Sequence, residues 1–332
     1  MTPSRTLGST GPATYPLGLG CMGMSDMYGP PDEREGVATI HAALDAGVTL
    51  LDTGDFYGMG ANELLIRDAL RGRRREDVLL SVKFGAFRDA DGGWHGNDGR
   101  PEAVANYLAY SLQRLGVDHV DVYRPARLDP NVPIEETVGA VAEEVRKGRV
   151  RHIGLSEVSA ETLRKAHAVH PIVDLQIEYS LLSRGPEAEI LPTAKELGVG
   201  VTAYGVLGRG LLSGHWNPDR ETTQADFRTH SPRFQGDNLA KNLALVESLR
   251  TVAEAKGATV AQLAIAWTLS RGETVIPLVG ARTRPRLAEA LGALDVHLTE
   301  SDLAEIESAV PSTKVAGTRY PEQMLAHMDS ER

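Results

Sequence analysis

Short runs of apolar residues alternate with longer stretches whose apolar positions recur three and four residues apart, and this rhythm continues along almost the whole chain. The runs predict strands at 17–22 (LGLGCM), 49–54 (TLLDTG), 78–84 (VLLSVKF), 119–125 (HVDVYRP), 152–156 (HIGLS), 173–179 (VDLQIEY), 200–205 (GVTAYG) and 274–279 (TVIPLV). Between them, PDEREGVATIHAALDAG stops at Gly47, EAVANYLAYSLQRLG and ATVAQLAIAWTLSRG read as helices, and IEETVGAVAEEVRKG sets Ile134, Val138, Val141 and Val145 at helical spacing. Eight parallel strands with crossover helices close into a (β/α)8 TIM barrel that leaves no edge exposed. The expected architecture is one such barrel domain over residues 1–332.

Two segments depart from the repeat. Residues 206–241 form a long polar insertion after strand seven, more than an ordinary connection requires, and placed to act as a lid. In TESDLAEIESAV, Thr299 precedes Asp302 by three positions, a capping-box variant that predicts an extra C-terminal helix. That helix, or the tail PSTKVAGTRYPEQML, is placed to wall one side of the barrel mouth.

Composition narrows the class. The 332 residues include 34 Gly, 18 Pro and 42% hydrophobic residues with no low-complexity linker, as expected of one continuously structured globular protein. The start MTPSRTLGST lacks the apolar run of a secretory signal, and no segment reaches roughly 18 consecutive apolar residues, so a cytoplasmic location away from membranes is expected. A formal charge of -10 disfavours non-specific nucleic-acid binding, and neither charge nor pattern fixes an oligomeric state. Cys21 stands alone, which excludes an intrachain disulfide or multi-cysteine metal site and reads as a small buried apolar residue. His167 and His170 share a helix face with no third ligand beside them, so no metal is expected.

The stretch Gly18–Gly23, GLGCMG, matches the letters of a dinucleotide-binding turn. That turn must join a strand directly to a helix, with an acidic residue about 20 positions on. Here MSDMYGPPDE intervenes, Ala43 stands at that distance from Gly23, and nearby Asp45 falls inside a helix. The segment is better read as the first barrel strand, its glycines allowing close backbone approach.

Barrel active sites form at the C-terminal ends of the strands. Strand two ends in LLDTGDFYG, with Asp52 at its end and Tyr57 on the following loop, and strand three carries Lys83 in SVKFG. Singly, these are a capping carboxylate, a rim aromatic and half of an ion pair. Together they suit proton donation: an ammonium beside a phenol favours phenolate and lowers its pKa, and a carboxylate holds the ammonium in place. Such a site lacks a hydride donor, which no side chain supplies. Asp55 beside Asp52 does not make a better case for paired-carboxylate hydrolysis.

From about residue 15 to 325 the chain resembles the aldo-keto reductase family, through GLGCMGMS, LLDTGDFYG, SVKFG, RVRHIGLSE, LQIEYS, AYGVLGRGLL and VIPLVGARTRPRLAEAL. The resemblance implies NADPH-dependent carbonyl reduction with Asp52, Tyr57 and Lys83 as catalytic residues. It departs at strand four: many relatives place a histidine followed by arginine there, and DVYRPARLDP has Ala126 at the histidine's position. Candidate replacements are His95 in GGWHGND and Arg124, which has the same strand parity as Ala126; Tyr28 is a further substrate-pocket candidate. PARLDPNVPIEETV and NDGRPEAV look like the pyridoxal reductase branch, which implies pyridoxal as the narrower substrate. A non-catalytic NADPH-binding redox sensor is the competing reading that Ala126 leaves open.

By the same resemblance, Ser156 and Gln176 hold the nicotinamide carboxamide and Tyr204 stacks on its ring. Glu157 stands where relatives have asparagine, so that donor does not carry over. Leu207, Gly208 and Gly210 in LGRGLL bring backbone N–H groups toward the pyrophosphate. In GARTRPRLAEAL, Arg286 and Glu289 match a basic and an acidic position at the adenosine end, while Ala290 replaces an asparagine. Arg282 and Arg284 add charge suited to a 2′-phosphate, hence NADPH over NADH.

Overall fold

A computed structural model describes residues 4–25, 27–91, 93–216 and 226–332. Strands Gly18–Gly20, Leu50–Gly54, Leu79–Phe84, Val120–Pro125, Val150–Ser156, Ile172–Glu178, Gly200–Tyr204 and Val275–Gly280 form a closed parallel barrel in chain order. The last strand closes on the first through the Leu278–Gly18 pairing. Helices cover the outside and side chains fill the inside, so these strands carry little polar alternation and read in the sequence as continuous apolar runs.

The crossover helices begin and end where local chemistry dictates. The Asp32 carboxylate accepts from Glu35 N–H and starts Glu33–Asp45. Gly116, at φ 69°, terminates Pro101–Leu115 in the left-handed conformation that glycine adopts without penalty. In Ile134–Arg146, Ile134, Val138 and Val141 are buried and Val145 is half-buried against the core. Each fully buried member contributes about 1.5–3 kcal/mol. The expected C-terminal helix is Glu300–Ala309, and its capping box forms: Thr299 Oγ accepts from Asp302 N–H at 3.3 Å and the Asp302 carboxylate accepts from Thr299 N–H at 2.8 Å.

The segment after strand seven is shorter than its polarity suggested, because a 20-residue helix, Gly236–Ala255, starts inside it. Its described parts are 3-10 turns at Gly208–Ser213, Phe227–His230 and Pro232–Phe234; residues 217–225 of the expected lid lie outside the described residues. Two hairpins carry no periodic signal because their strands are only two to four residues long. One, Arg5–Thr6 with Ala13–Thr14, closes the floor: Leu7 packs with Leu50, Val122 and Ile276, and the Arg5 guanidinium donates to the Leu269 and Gly272 carbonyls. The other, Ala86–Arg88 with Trp94–Asn97, rises beyond strand three. Among the described residues no helix is long and apolar enough to cross a membrane.

Candidate active site

Strand register brings the polar groups of strands two and three together. Asp52 pairs with Ser81 and Gly54 with Lys83, so Asp52 and Lys83 both reach the barrel interior near its C-terminal end, 2% and 3% exposed. The Lys83 ammonium donates to Asp52 Oδ1 in a tight ion pair. Asp52 Oδ2 accepts from Ser81 Oγ at 2.8 Å and Gln176 Nε2 at 2.7 Å. A buried ion pair of this kind is tolerable only because the remaining lone pairs are filled. Tyr57 opens the short turn Tyr57–Gly60, and its ring centroid lies 5.1 Å from Lys83 Nζ.

The electrostatics differ from the sequence expectation. Burial, followed by the Asp52 carboxylate, holds the Tyr57 hydroxyl well above the usual tyrosine range, and the Arg127 guanidinium is the leading opposing charge. Burial also pulls the Lys83 ammonium down, against the attraction of Asp52. Lys83 is therefore not the group that pulls down the Tyr57 pKa, and Tyr57 is held as the protonated phenol that a proton donor must be.

Neither expected substitute for the strand-four histidine is at the mouth. Arg124 is fully buried within the barrel, where it pairs with Asp174 at 2.7 Å and donates to Ser81 Oγ at 2.8 Å. It has the parity of Ala126 but sits one inward-facing layer deeper, and Asp174 claims its charge. His95 lies on the hairpin beyond strand three, exposed, with Nε2 2.6 Å from Asp89 Oδ2. Ala126 is buried, 3% exposed, and its N–H donates to Phe84 O at 2.8 Å. The cation that reaches the site is the next residue, Arg127, which donates to Ala126 O at 2.6 Å, Ser156 Oγ at 3.4 Å and the Tyr320 hydroxyl at 3.4 Å.

Ser156 and Gln176 are register partners on strands five and six. Tyr204 ends strand seven, and its hydroxyl is 3.0 Å from that of Tyr320. Gly208 and Gly210 take φ of 54° and 104° in the turn that follows Leu207, with Arg209 between them at 57°. Tyr28 lies on the loop after strand one, under the Arg228 guanidinium at 4.9 Å, and Phe227 N–H donates to Met27 O, so the loops of strands one and seven meet over the mouth.

Glu157 adopts φ 55°, a left-handed conformation that asparagine enters far more readily than glutamate. It is held there by Arg319, whose guanidinium donates to both carboxylate oxygens at 3.0 and 2.6 Å, by Ser330 Oγ at 2.6 Å and by Glu178 N–H at 2.9 Å. Burial raises its pKa, but Arg319, with Arg127 and the Ser330 hydroxyl, outweighs burial and brings it down to about 2. Glu178 in turn pairs with Arg209 and Arg233, each at 3.2 Å. This buried network ties the tail to the ends of strands five and six and sets Tyr320 over the mouth, under the Arg209 guanidinium at 4.3 Å. The tail PSTKVAGTRYPEQML walls the mouth as the sequence suggested, but sequence reasoning did not single out Arg127, Arg319 or Tyr320: Arg127 adjoins a position already singled out, and nothing local in TRYPEQ marks which residues dock.

At the end of strand eight, the helix Arg284–Leu291 begins after Thr283, whose side chain makes no cap bond; the Arg284 N–H donates to the Glu35 carboxylate at 3.0 Å and Pro285 has no N–H to offer. Arg286 pairs with Glu289 at 3.0 Å, Glu289 also meets His215, and Arg284 pairs with Glu35 at 3.0 Å. Arg282 instead spans the loop after strand one, donating to Tyr28 O and Pro30 O. It staples that loop, which leaves Arg284 and Arg286 as the more exposed cations. The two exposed guanidinium groups of Arg284 and Arg286 at this helix start suit a phosphate, and Ser156, Gln176 and the Tyr204 ring suit an aromatic amide. The donor set therefore fits a nicotinamide dinucleotide phosphate. His167 and His170 are each occupied by nearby backbone, and among the described residues no cluster of metal-ligating side chains forms.

Residues 16–311 match the model of the Aldo/keto reductase family. A probable aldo-keto reductase 1 from Glycine max is 44% identical over 319 residues, covering 95% of this chain and 90% of that protein. Among solved structures, a glycerol dehydrogenase from Gluconobacter oxydans superposes with a TM-score of 0.84 at 30% identity, covering 93% of this chain and 96% of that one. The holo form of an aldo-keto reductase from Bacillus halodurans superposes with a TM-score of 0.79 at 26% identity, covering 100% of each chain.

Proposed function

Because the chain belongs to the aldo-keto reductase family, whose members are nicotinamide-dependent oxidoreductases, we propose that it is a cytoplasmic NADPH-dependent reductase of aldehydes with a flat aromatic ring, pyridoxal among them. The observation that carries this reading is the convergence of Asp52, Lys83 and Tyr57 at one barrel mouth, with Tyr57 held protonated. A purely NADPH-sensing protein would have no use for a buried proton donor with its own ion pair.

When bound, a dihydronicotinamide would supply the hydride. Ser156, Gln176 and Tyr204 would hold its ring, the turn at Leu207, Gly208 and Gly210 would offer backbone N–H groups to the diphosphate, and Arg286 with Arg284 would suit a 2′-phosphate. Tyr57 gives its hydroxyl proton to the carbonyl oxygen as negative charge develops there, and Lys83, held by Asp52, stabilises the phenolate left behind. Tyr28 and Tyr320 add aromatic rings to the mouth, each with a guanidinium over one face, which suits a planar substrate more than a branched aliphatic one.

The test is NADPH oxidation, followed by absorbance, with pyridoxal beside 4-nitrobenzaldehyde and with Tyr57→Phe as control. We expect turnover with both aldehydes in the wild type and a loss of about a hundredfold or more in kcat in Tyr57→Phe. Turnover of 4-nitrobenzaldehyde alone would discard pyridoxal; NADPH binding without turnover of either would discard the reductase reading.

A further inference from the structure

We propose that Arg127 is a fourth catalytic residue, which donates an N–H hydrogen bond to the substrate carbonyl oxygen in the place left without a donor by Ala126. The proposal rests on the reductase reading above.

A reacting carbonyl has to lie between the Tyr57 hydroxyl and the nicotinamide ring. On one side of that space are Tyr57, Lys83 and Asp52; on the other are Ser156 and Tyr204. Arg127 spans it. Its guanidinium reaches from the end of strand four to Ser156 Oγ on strand five and to Tyr320 in the tail, each at 3.4 Å. Its charge also acts on both Tyr57 and Lys83, and it is the leading charge opposing the rise at the Tyr57 hydroxyl. The other two candidates fail on geometry: Arg124 is locked beneath the site by Asp174, and His95 is held outside by Asp89.

Arg127 is also chemically suited. A guanidinium presents five N–H donors in a rigid fork, and its bonds to Ala126 O, Ser156 and Tyr320 do not use all of them. The two side-chain contacts are long, so they orient the group without saturating it. Tyr320 and Ser156 flank it, and although burial works against its charge, Tyr204, Tyr320 and Glu157 nearby favour the charged form. A neutral imidazole would contribute one N–H; the guanidinium contributes a full positive charge where an alkoxide develops, in a site shielded by the tail.

The step balances without further reagents. The carbonyl carbon accepts the cofactor's hydride as its π bond opens, the oxygen takes the proton as the Tyr57 O–H bond breaks, and Arg127 keeps all its protons. Solvent then restores the Tyr57 proton.

The experiment compares wild type, Arg127→Met, Arg127→Lys and the double variant Ala126→His with Arg127→Met, using 4-nitrobenzaldehyde and NADPH. NADPH affinity is measured separately by fluorescence titration, and folding by thermal melting. We expect Arg127→Met to lower kcat by about a hundredfold or more while the NADPH Kd changes less than about threefold. Arg127→Lys should retain an intermediate rate, because the point charge survives without the fork. Restoring the histidine at position 126 should recover about tenfold or more of the loss, which a merely structural role of Arg127 would not permit. An active wild type with Arg127→Met at equal kcat overturns the proposal alone, as does a loss confined to NADPH affinity or to melting temperature. A wild type with no turnover removes the reductase reading and the proposal together.

Discussion

Replacing Arg319 by methionine tests whether the tail is held to the barrel by charge. Glu157 has an ordinary pKa of 4.5 and stands at about 2 in the fold, chiefly through Arg319. Each tenfold change in proton affinity is worth about 1.4 kcal/mol, so the ionised Glu157 gains about 3 kcal/mol from its surroundings at neutral pH. Glu157 is 1% exposed, so solvent screening removes little of this. The folded pKa lies below the unfolded one, so the stabilisation is complete above about pH 4.5 and is lost as the pH falls toward 2. Arg319→Met removes the main source and leaves a buried carboxylate in a left-handed backbone. The local cost of about 3 kcal/mol makes tail opening about a hundredfold more frequent. Hydrogen exchange reads this directly, since Ser330 N–H is bonded to Glu157 O at 3.2 Å and reports release of the tail. We expect exchange across 315–332 to accelerate about a hundredfold at pH 7, and the difference in melting temperature from wild type to shrink as the pH falls from 4.5 toward 2. The reasoning is refuted by unchanged exchange in the tail, or by a melting difference that grows on acidification. Glu157→Asn should keep the backbone turn, because asparagine accepts that φ, yet free Arg319 and loosen the tail.

Other perturbations separate structure from chemistry. Burial, aided by Glu63, raises the Asp55 carboxyl to about 8, so stability falls as pH rises from about 4 to about 8; Asp55→Asn should abolish that slope in melting curves. Arg124→Met leaves Asp174 buried and unpaired, and should destabilise the barrel by about 3–5 kcal/mol in denaturant titrations. His95→Ala should leave aldehyde kinetics unchanged, as its only described partner is Asp89 on the same hairpin. Arg286→Ala should weaken NADPH by about tenfold and NADH by much less; equal losses for the two cofactors would contradict recognition of the 2′-phosphate.

Much of this protein was legible in one dimension. The eight strands fall within a few residues of their expected places because each must be buried on both faces, which forces a continuous apolar run that a linear reading detects. The Thr299 cap was readable for the same reason of locality: its bonds join residues three apart. Asp52, Lys83 and Tyr57 could be grouped because barrel topology sends all strand ends to one face. What the linear reading missed is what depends on side-chain reach and depth. Parity put Arg124 on the inner side but did not reveal that it sits a layer too deep, and only Asp174, 50 residues on, decides where its charge goes. Arg127 lies beyond the regular strand, where alternation ceases to predict direction, and its course across the mouth is set by Ser156 and Tyr320. Glu157 looked like the loss of a cofactor contact; the fold makes it the anchor of a tail 162 residues away. Local periodicity therefore determined the barrel, and its strand ends grouped Asp52, Tyr57 and Lys83 at one mouth. The electrostatic setting of those residues was decided by long-range ion pairs, because a buried charge takes whichever partner the closed fold brings within reach.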